Sequence, residues 1–164
     1  MPDFKQSILR RCLLPAALVA VAVLPACNSS TPITIGTGTR AVVQITVEPN
    51  PVVATQSTLT GAVSASYKVT LTETNGLGGE IVFVNGSVFD PTTGALVAIN
   101  YYDSKDMVVF VGKSRIEALE TISLTQTANY TLPDLSKAAK LTIAIQLKDD
   151  RSNLVNASTL VNIE

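Results

Sequence analysis

The 164-residue chain contains no histidine and no tryptophan. Without an imidazole there is no serine–histidine or cysteine–histidine nucleophile pair, no histidine metal ligand and no imidazole pH switch. The side chains that could still do chemistry fall in a few short clusters. Asp149, Asp150, Ser152 and Asn153 could gather oxygens around Ca²⁺, but an EF-hand loop needs acids at alternate positions, a central glycine and a distal glutamate. Between two strand-like runs such residues serve as hairpin turn formers. Asp149 and Asp150 are therefore the calcium candidates, and the turn reading is preferred. Glu117 and Glu120 have the residue types of an acid–base pair, yet nothing near them in the sequence supplies a pocket or an aromatic sugar platform, and they read as solvated surface. Asp103, Lys105 and Asp106 read as a solvated turn. Tyr101-Tyr102 differs, because neighbours on a strand face opposite sides. One tyrosine can pack inward while the other offers an aromatic contact to a partner. No phosphate loop, dinucleotide fingerprint, CxxC pair or basic–aromatic stripe occurs. A non-enzymatic protein with no cofactor and no metal is expected.

Charge narrows the partners. The chain has 12 Lys+Arg against 13 Asp+Glu, a net charge of −1, which gives no electrostatic footprint for nucleic acid. A hydrophobic fraction of 46% at near-zero net charge argues for a folded chain.

The two cysteines mark the N-terminal region. Lys5, Arg10 and Arg11 precede an uncharged apolar run from Cys12 to Leu24, thirteen residues long. That length suits a signal-peptide core and falls short of a membrane-spanning helix. Leu24-Pro25-Ala26-Cys27 follows, and then the polar Asn28-Ser29-Ser30. Residues 1–27 resemble the bacterial lipoprotein signal peptide, with Leu24 three places before the cysteine and the small Ala26 just before it; Pro25 is a departure from the usual small residue. The resemblance implies a signal helix over 1–26, cleavage between Ala26 and Cys27, and a diacylglyceryl group on the Cys27 thiol. Two acyl chains on one residue suffice for stable attachment, at about 0.8 kcal/mol per buried CH₂. Cleavage would remove three of the 12 basic and one of the 13 acidic residues, leaving a net charge of −3 and no cysteine for a disulfide. Asn28, in place of the aspartate that retains enteric lipoproteins at the inner membrane, makes the outer membrane of a bacterial cell envelope the expected address, with the membrane itself a partner through the lipid.

Residues 27–40 follow as lipidated cysteine and tether, Ser-, Thr- and Gly-rich from Asn28 on. Thirteen coil-like residues reach about 20 Å. From Ala41 to Glu164 the texture changes to short β-branched runs separated by turns. Val42–Val47 stops at Glu48-Pro49-Asn50-Pro51, where proline forbids continued pairing. In Ala65–Thr72, Tyr67, Val69 and Leu71 alternate with Ser66, Lys68, Thr70 and Thr72, predicting one face inward. Ile81–Phe89, Leu96–Tyr102, Met107–Val111, Ile122–Leu132, Leu141–Leu147 and Leu154–Ile163 read as further strands. Only Ser114–Glu120 and Leu135–Ala139 could hold a helical turn.

Seven to nine strands in 124 residues predict an all-β fold, a single antiparallel β-sandwich, with a closed barrel as the alternative. The region 41–164 resembles the immunoglobulin-like and fibronectin type III-like modules of bacterial envelope proteins, through its Val47-Glu48-Pro49-Asn50-Pro51-Val52 opening, its Lys68–Glu73 strand and its Leu141–Asn153 strand and turn. The Cys…Trp…Cys core of true immunoglobulin domains is missing, and no tyrosine corner can be placed. Together these readings imply a lipid-anchored interaction or structural module with a protein or glycan partner. The alternative is a small-ligand carrier with a lipocalin-like barrel cavity.

Overall fold

The computed structural model describes residues 39–132 and 138–164. They belong to one compact unit, Ile33–Glu164, and the other unit, Met1–Pro32, lies outside the described residues. The signal segment 1–26, Cys27, most of the tether and the 135–137 part of the predicted helical turn therefore also lie outside them.

Nine strands and one helix follow in order: β1 (Val43–Glu48), β2 (Ala54–Gln56), β3 (Val63–Glu73), β4 (Gly79–Phe89), β5 (Leu96–Asp103), α1 (Ser104–Val111), β6 (Arg115–Ile116), β7 (Thr121–Tyr130), β8 (Ala139–Asp149) and β9 (Leu154–Ile163). All strand pairs are antiparallel. In one sheet β3 pairs with β7 on one side, and with β1 and β2 end to end on the other. The second sheet runs β5-β4-β8-β9, with β6 continuing β5's side of β4. The chain crosses between sheets from β3 to β4, from β6 to β7 and from β7 to β8, the Greek-key habit of sandwiches. The fold is an immunoglobulin-like β-sandwich. The barrel alternative is corrected: among the described residues backbone pairing between the two sheets is confined to the Val52–Ile163 bridge and the adjoining Ala54 N–H to Glu164 O bond, so each sheet stays open.

Alternation fills the space between the sheets. Ala65, Tyr67, Val69 and Leu71 of β3 face Leu141, Ile143, Ile145 and Leu147 of β8, all buried. Their polar neighbours face water, as the period of two predicts. Gly86 of β4 sits where a side chain cannot, since a Cβ there would stand 2.4 Å from the Tyr67 hydroxyl. That hydroxyl donates to Gln126 Oε1 at 3.0 Å, and burial pushes its pKa up to about 12.

Two local departures from the strand pattern matter for the surface. In β4 the register slips between Ile81 and Phe83, so Val82 is an extra residue. The bulge buries Ile81 and Val84 and turns Phe83 to the outer face. The second departure corrects the expected Met107–Val111 strand and the solvated-turn reading of Asp103, Lys105 and Asp106. Asp103 caps a helix there, accepting from the N–H groups of Lys105 (2.7 Å) and Asp106 (3.0 Å), while Asp106 accepts from the Asp103 N–H at 3.1 Å. This reciprocal box satisfies N–H groups at the helix N-terminus that have no acceptor within the helix. Gly112 ends the helix with φ 87°, and fully buried Met107 roots it in the core. The β-branched run of valines hid the helix, because tertiary anchoring overrode propensity. The helical turn expected at Ser114–Glu120 is instead β6 followed by a turn through Leu119.

Candidate interaction surface

The outer face of the β5-β4-β8-β9 sheet is built by pairing. Residues directly opposite one another share a face, so the register assigns rows across the sheet. One row runs Asp103–Phe83–Gln146–Asn156, the next Tyr101–Asn85–Ala144–Ser158, and the third Ile99–Ser87–Thr142–Leu160. Apart from Asp103, none of these residues is charged at neutral pH. Charge lies only at the margins, with Asp103 at the head of α1 and Lys140, Lys148 and Glu80 at the strand ends. Four strands about 4.8 Å apart make a strip roughly 14 Å wide. Amides and hydroxyls share it with exposed Ile99, Leu160 and Tyr101, and Gln146 Nε2 donates to Asn156 Oδ1 at 3.0 Å, fixing that pair.

Tyr101 and Tyr102 divide as alternation predicts. Tyr101 is 55% exposed and stacks on Phe83 with centroids 5.6 Å apart and planes at 28°. Tyr102 is partly buried and meets Phe110 of α1 edge-on at 5.3 Å. Burial, then the Asp106 charge, raises the Tyr102 pKa. Phe83 is the partner that sequence reading missed, because an unbroken Ile-Val-Phe-Val run carries no sign of the bulge. A shallow groove of about 290 Å³ lies behind Phe110, lined by Lys68, Ser123, Leu124 and Thr125.

The other candidates do not converge. Asp149 is buried and takes N–H donors on both oxygens: Arg151 (3.0 Å) and Asn153 (2.8 Å) on Oδ1, and the Asn153 amide (3.0 Å) and Ala41 (3.2 Å) on Oδ2. Asp150 turns instead to Arg115 at 2.6 Å. Among the described residues no group of three or more acidic or cysteine side chains is placed to hold a metal ion. Glu117 pairs with Arg115 at 3.0 Å, and Glu120 pairs with Lys113. Ala26 and Cys27 lie outside the described residues.

A second carboxylate escaped the sequence reading. Glu73, 1% exposed, receives five backbone N–H groups: Val42 (3.2 Å) and Asn75 (2.9 Å) on Oε1, and Gly76 (2.7 Å), Leu77 (3.2 Å) and Leu119 (3.0 Å) on Oε2. Burial alone would raise its pKa, but these donors outweigh burial and hold it below the ordinary 4.5. Asp149 is likewise lowered, its donors overcoming burial. The two acids thus grip the adjacent N–H groups of Ala41 and Val42, where the chain joins the sandwich. The signal was present: Glu73 continues the odd-numbered, inward series of Tyr67, Val69 and Leu71.

No family model matches the chain, and no curated protein matches it by sequence. Solved structures do. A protein from Bordetella pertussis described as ApaA is similar at a TM-score of 0.53 and 12% identity, covering 75% of this chain and 94% of that one. A second structural-genomics target matches at 0.53 and 12%, covering 75% and 85%. At such identity the likeness is one of fold alone.

Proposed function

We propose that this is a lipid-anchored, non-enzymatic module of the bacterial cell envelope that binds a neutral glycan on the outer face of its four-strand sheet. One observation carries the reading: a strip of amides and hydroxyls, charged only at its Asp103 corner and strand ends, with a stacked, exposed Tyr101–Phe83 pair at one side. Sugars present axial C–H groups to aromatic faces and hydroxyls to amides, and an uncharged ligand meets no desolvated charge there. Proteins of this fold carry no common activity, so the proposal rests on the site and not on the neighbours. The lipid on Cys27 would fix the location, the outer membrane by the Asn28 argument, and residues 28–40 would give reach.

The test has two independent parts. Mass spectrometry of the mature protein should find Cys27 as the N-terminus with diacylglyceryl on sulfur; an unmodified Cys27 overturns the anchor. Full chain in detergent micelles should bind neutral envelope polysaccharides and not their charged counterparts. Binding to neither, or to the charged polymers alone, overturns the glycan reading.

A further inference from the structure

The chain enters the sandwich through residues 39–42, which belong to no strand. Such a segment has no ladder to satisfy its backbone, yet here side chains hold it group by group. Asn153 Nδ2 donates to Thr39 O at 3.4 Å. Asn75 Nδ2 donates to Arg40 O at 2.7 Å, and the Arg40 guanidinium donates to Leu154 O. Ala41 N–H donates to Asp149 Oδ2 at 3.2 Å, and Val42 N–H to Glu73 Oε1 at 3.2 Å. Val42 O in turn accepts from Thr74 N–H at 2.9 Å.

The two acids are the final residues of β3 and β8, one in each sheet. Residues 39–42 therefore span both layers at one end of the sandwich. At the other end the layers are joined through backbone alone: Val52 N–H donates to Asn162 O at 2.9 Å, Glu164 N–H to Val52 O at 2.8 Å and Ala54 N–H to Glu164 O at 2.7 Å. Those bonds do not depend on any side chain, whereas the join at residues 39–42 is made largely by side chains. Both carboxylates are buried, and a buried charge that loses its donors is costly. Ala41 and Val42 are consecutive, so moving one N–H out of bonding range drags the other with it. The two bonds are thus made or broken together.

We propose that residues 39–42 are a latch, closing as one unit across the end of both sheets with Glu73 and Asp149 as its catches, and that the latch keeps β1 from fraying when the segment before it moves. Position supports this role. Val43 lies opposite Glu73, so the latch sits against the first rung of the β1–β3 ladder. A strand residue points its N–H and C=O to one side. Because Val42 O faces β3, so do the backbone groups of Gln44, Thr46 and Glu48, and Gln44 is the first bonded position behind the latch. Among the described residues β1 has a ladder with β3 alone, so an open latch exposes that ladder at its end, where local opening costs least. On the anchored reading, the movement is that of a domain swinging on its tether. The latch stands whether or not Cys27 carries lipid.

Amide exchange in the full chain, held in detergent micelles, tests it. Ala41 and Val42, although outside any strand, should exchange at least about a hundredfold more slowly than in the unfolded chain. Asp149→Asn leaves one oxygen, which the two shorter backbone bonds of the turn take, so that an NH₂ faces the Ala41 N–H. Exchange should then quicken at least about tenfold at Ala41, at Val42, whose own acceptor is untouched, and at Gln44, while Ile143 and Ile145 stay protected. Asn75→Ala removes the Arg40 O partner without touching either carboxylate and should quicken the same three amides. It decides the matter if Asp149→Asn loosens the whole sandwich. Unprotected Ala41 and Val42 in the unaltered protein overturn the proposal. Loss confined to Ala41 in Asp149→Asn overturns it too, by making the catches independent, and an unchanged Gln44 in both variants overturns the protection of β1.

Discussion

Glu73 and Asp149 show how single side chains decide the margin of this fold. Each is a carboxylate removed from water whose oxygens are taken mainly by backbone N–H groups. Such charge-assisted bonds are among the stronger ones. Glu73→Gln turns one acceptor into an NH₂ aimed at N–H donors, and should lower unfolding stability by on the order of 3 kcal/mol in urea titrations. Both acids have folded pKa values below the ordinary 4.5 and 3.8. Between the folded and unfolded values the unfolded chain binds more protons, so stability rises with pH across that window. Their contribution is complete above the unfolded values and is lost as pH falls through the folded ones. Thermal unfolding followed from neutral pH downward should hold level and then drop below about pH 4.5, with a shallower drop in Glu73→Gln. An equal drop in both proteins would remove Glu73 from the account.

Helix α1 and the β4 bulge are the two elements that shape the surface. The helix combines a local cap with a core anchor, and the bulge is set by pairing with the distant β8. The helix begins because Asp103 and Asp106 bond each other's N–H groups, and it stays because Met107 reaches the core. Asp103→Ala removes the cap and should lower stability. The loss should appear first as faster amide exchange at Asp106 and Met107, with β8 unaffected. Equal acceleration in β8 would mean that the cap supports the whole sandwich and not the helix alone. Two of the strands were plain from alternation: β3 and β8 follow the period of two that their residues announce. The helix was not, since Met-Val-Val-Phe-Val is a better strand than helix by composition and only the cap and the Met107 anchor decide otherwise. The bulge at Val82 was equally hidden, because an all-apolar run has no phase to lose.

At the scale of the whole molecule the sandwich separates two faces with different consequences. On the glycan reading, Tyr101 and Tyr102 should behave differently although they are neighbours. Tyr101→Ala removes the exposed member of the stack with Phe83 and should weaken binding about tenfold without moving the melting temperature. Tyr102→Ala removes the contact with Phe110 and should reduce stability while leaving affinity within about twofold. Calorimetry with the same polysaccharide, beside thermal melts, separates the two. Equal losses of affinity would show that the effect is unfolding and not recognition.

Composition and spacing alone determined the absence of imidazole chemistry, the all-β class, the inward faces of β3 and β8, and the turn at Asp149–Asn153. These are local properties: alternation and turn chemistry are written within a few neighbouring residues, and a two-layer sandwich is what such strands can bury. Tertiary structure decided the rest. Which strands are edges, that Phe83 stands beside Tyr101, and that Glu73 holds five N–H groups all depend on residues brought together across long separations. A register slip of one residue reverses every side chain beyond it, so the surface of this protein is set by pairing, which no single segment of its sequence contains.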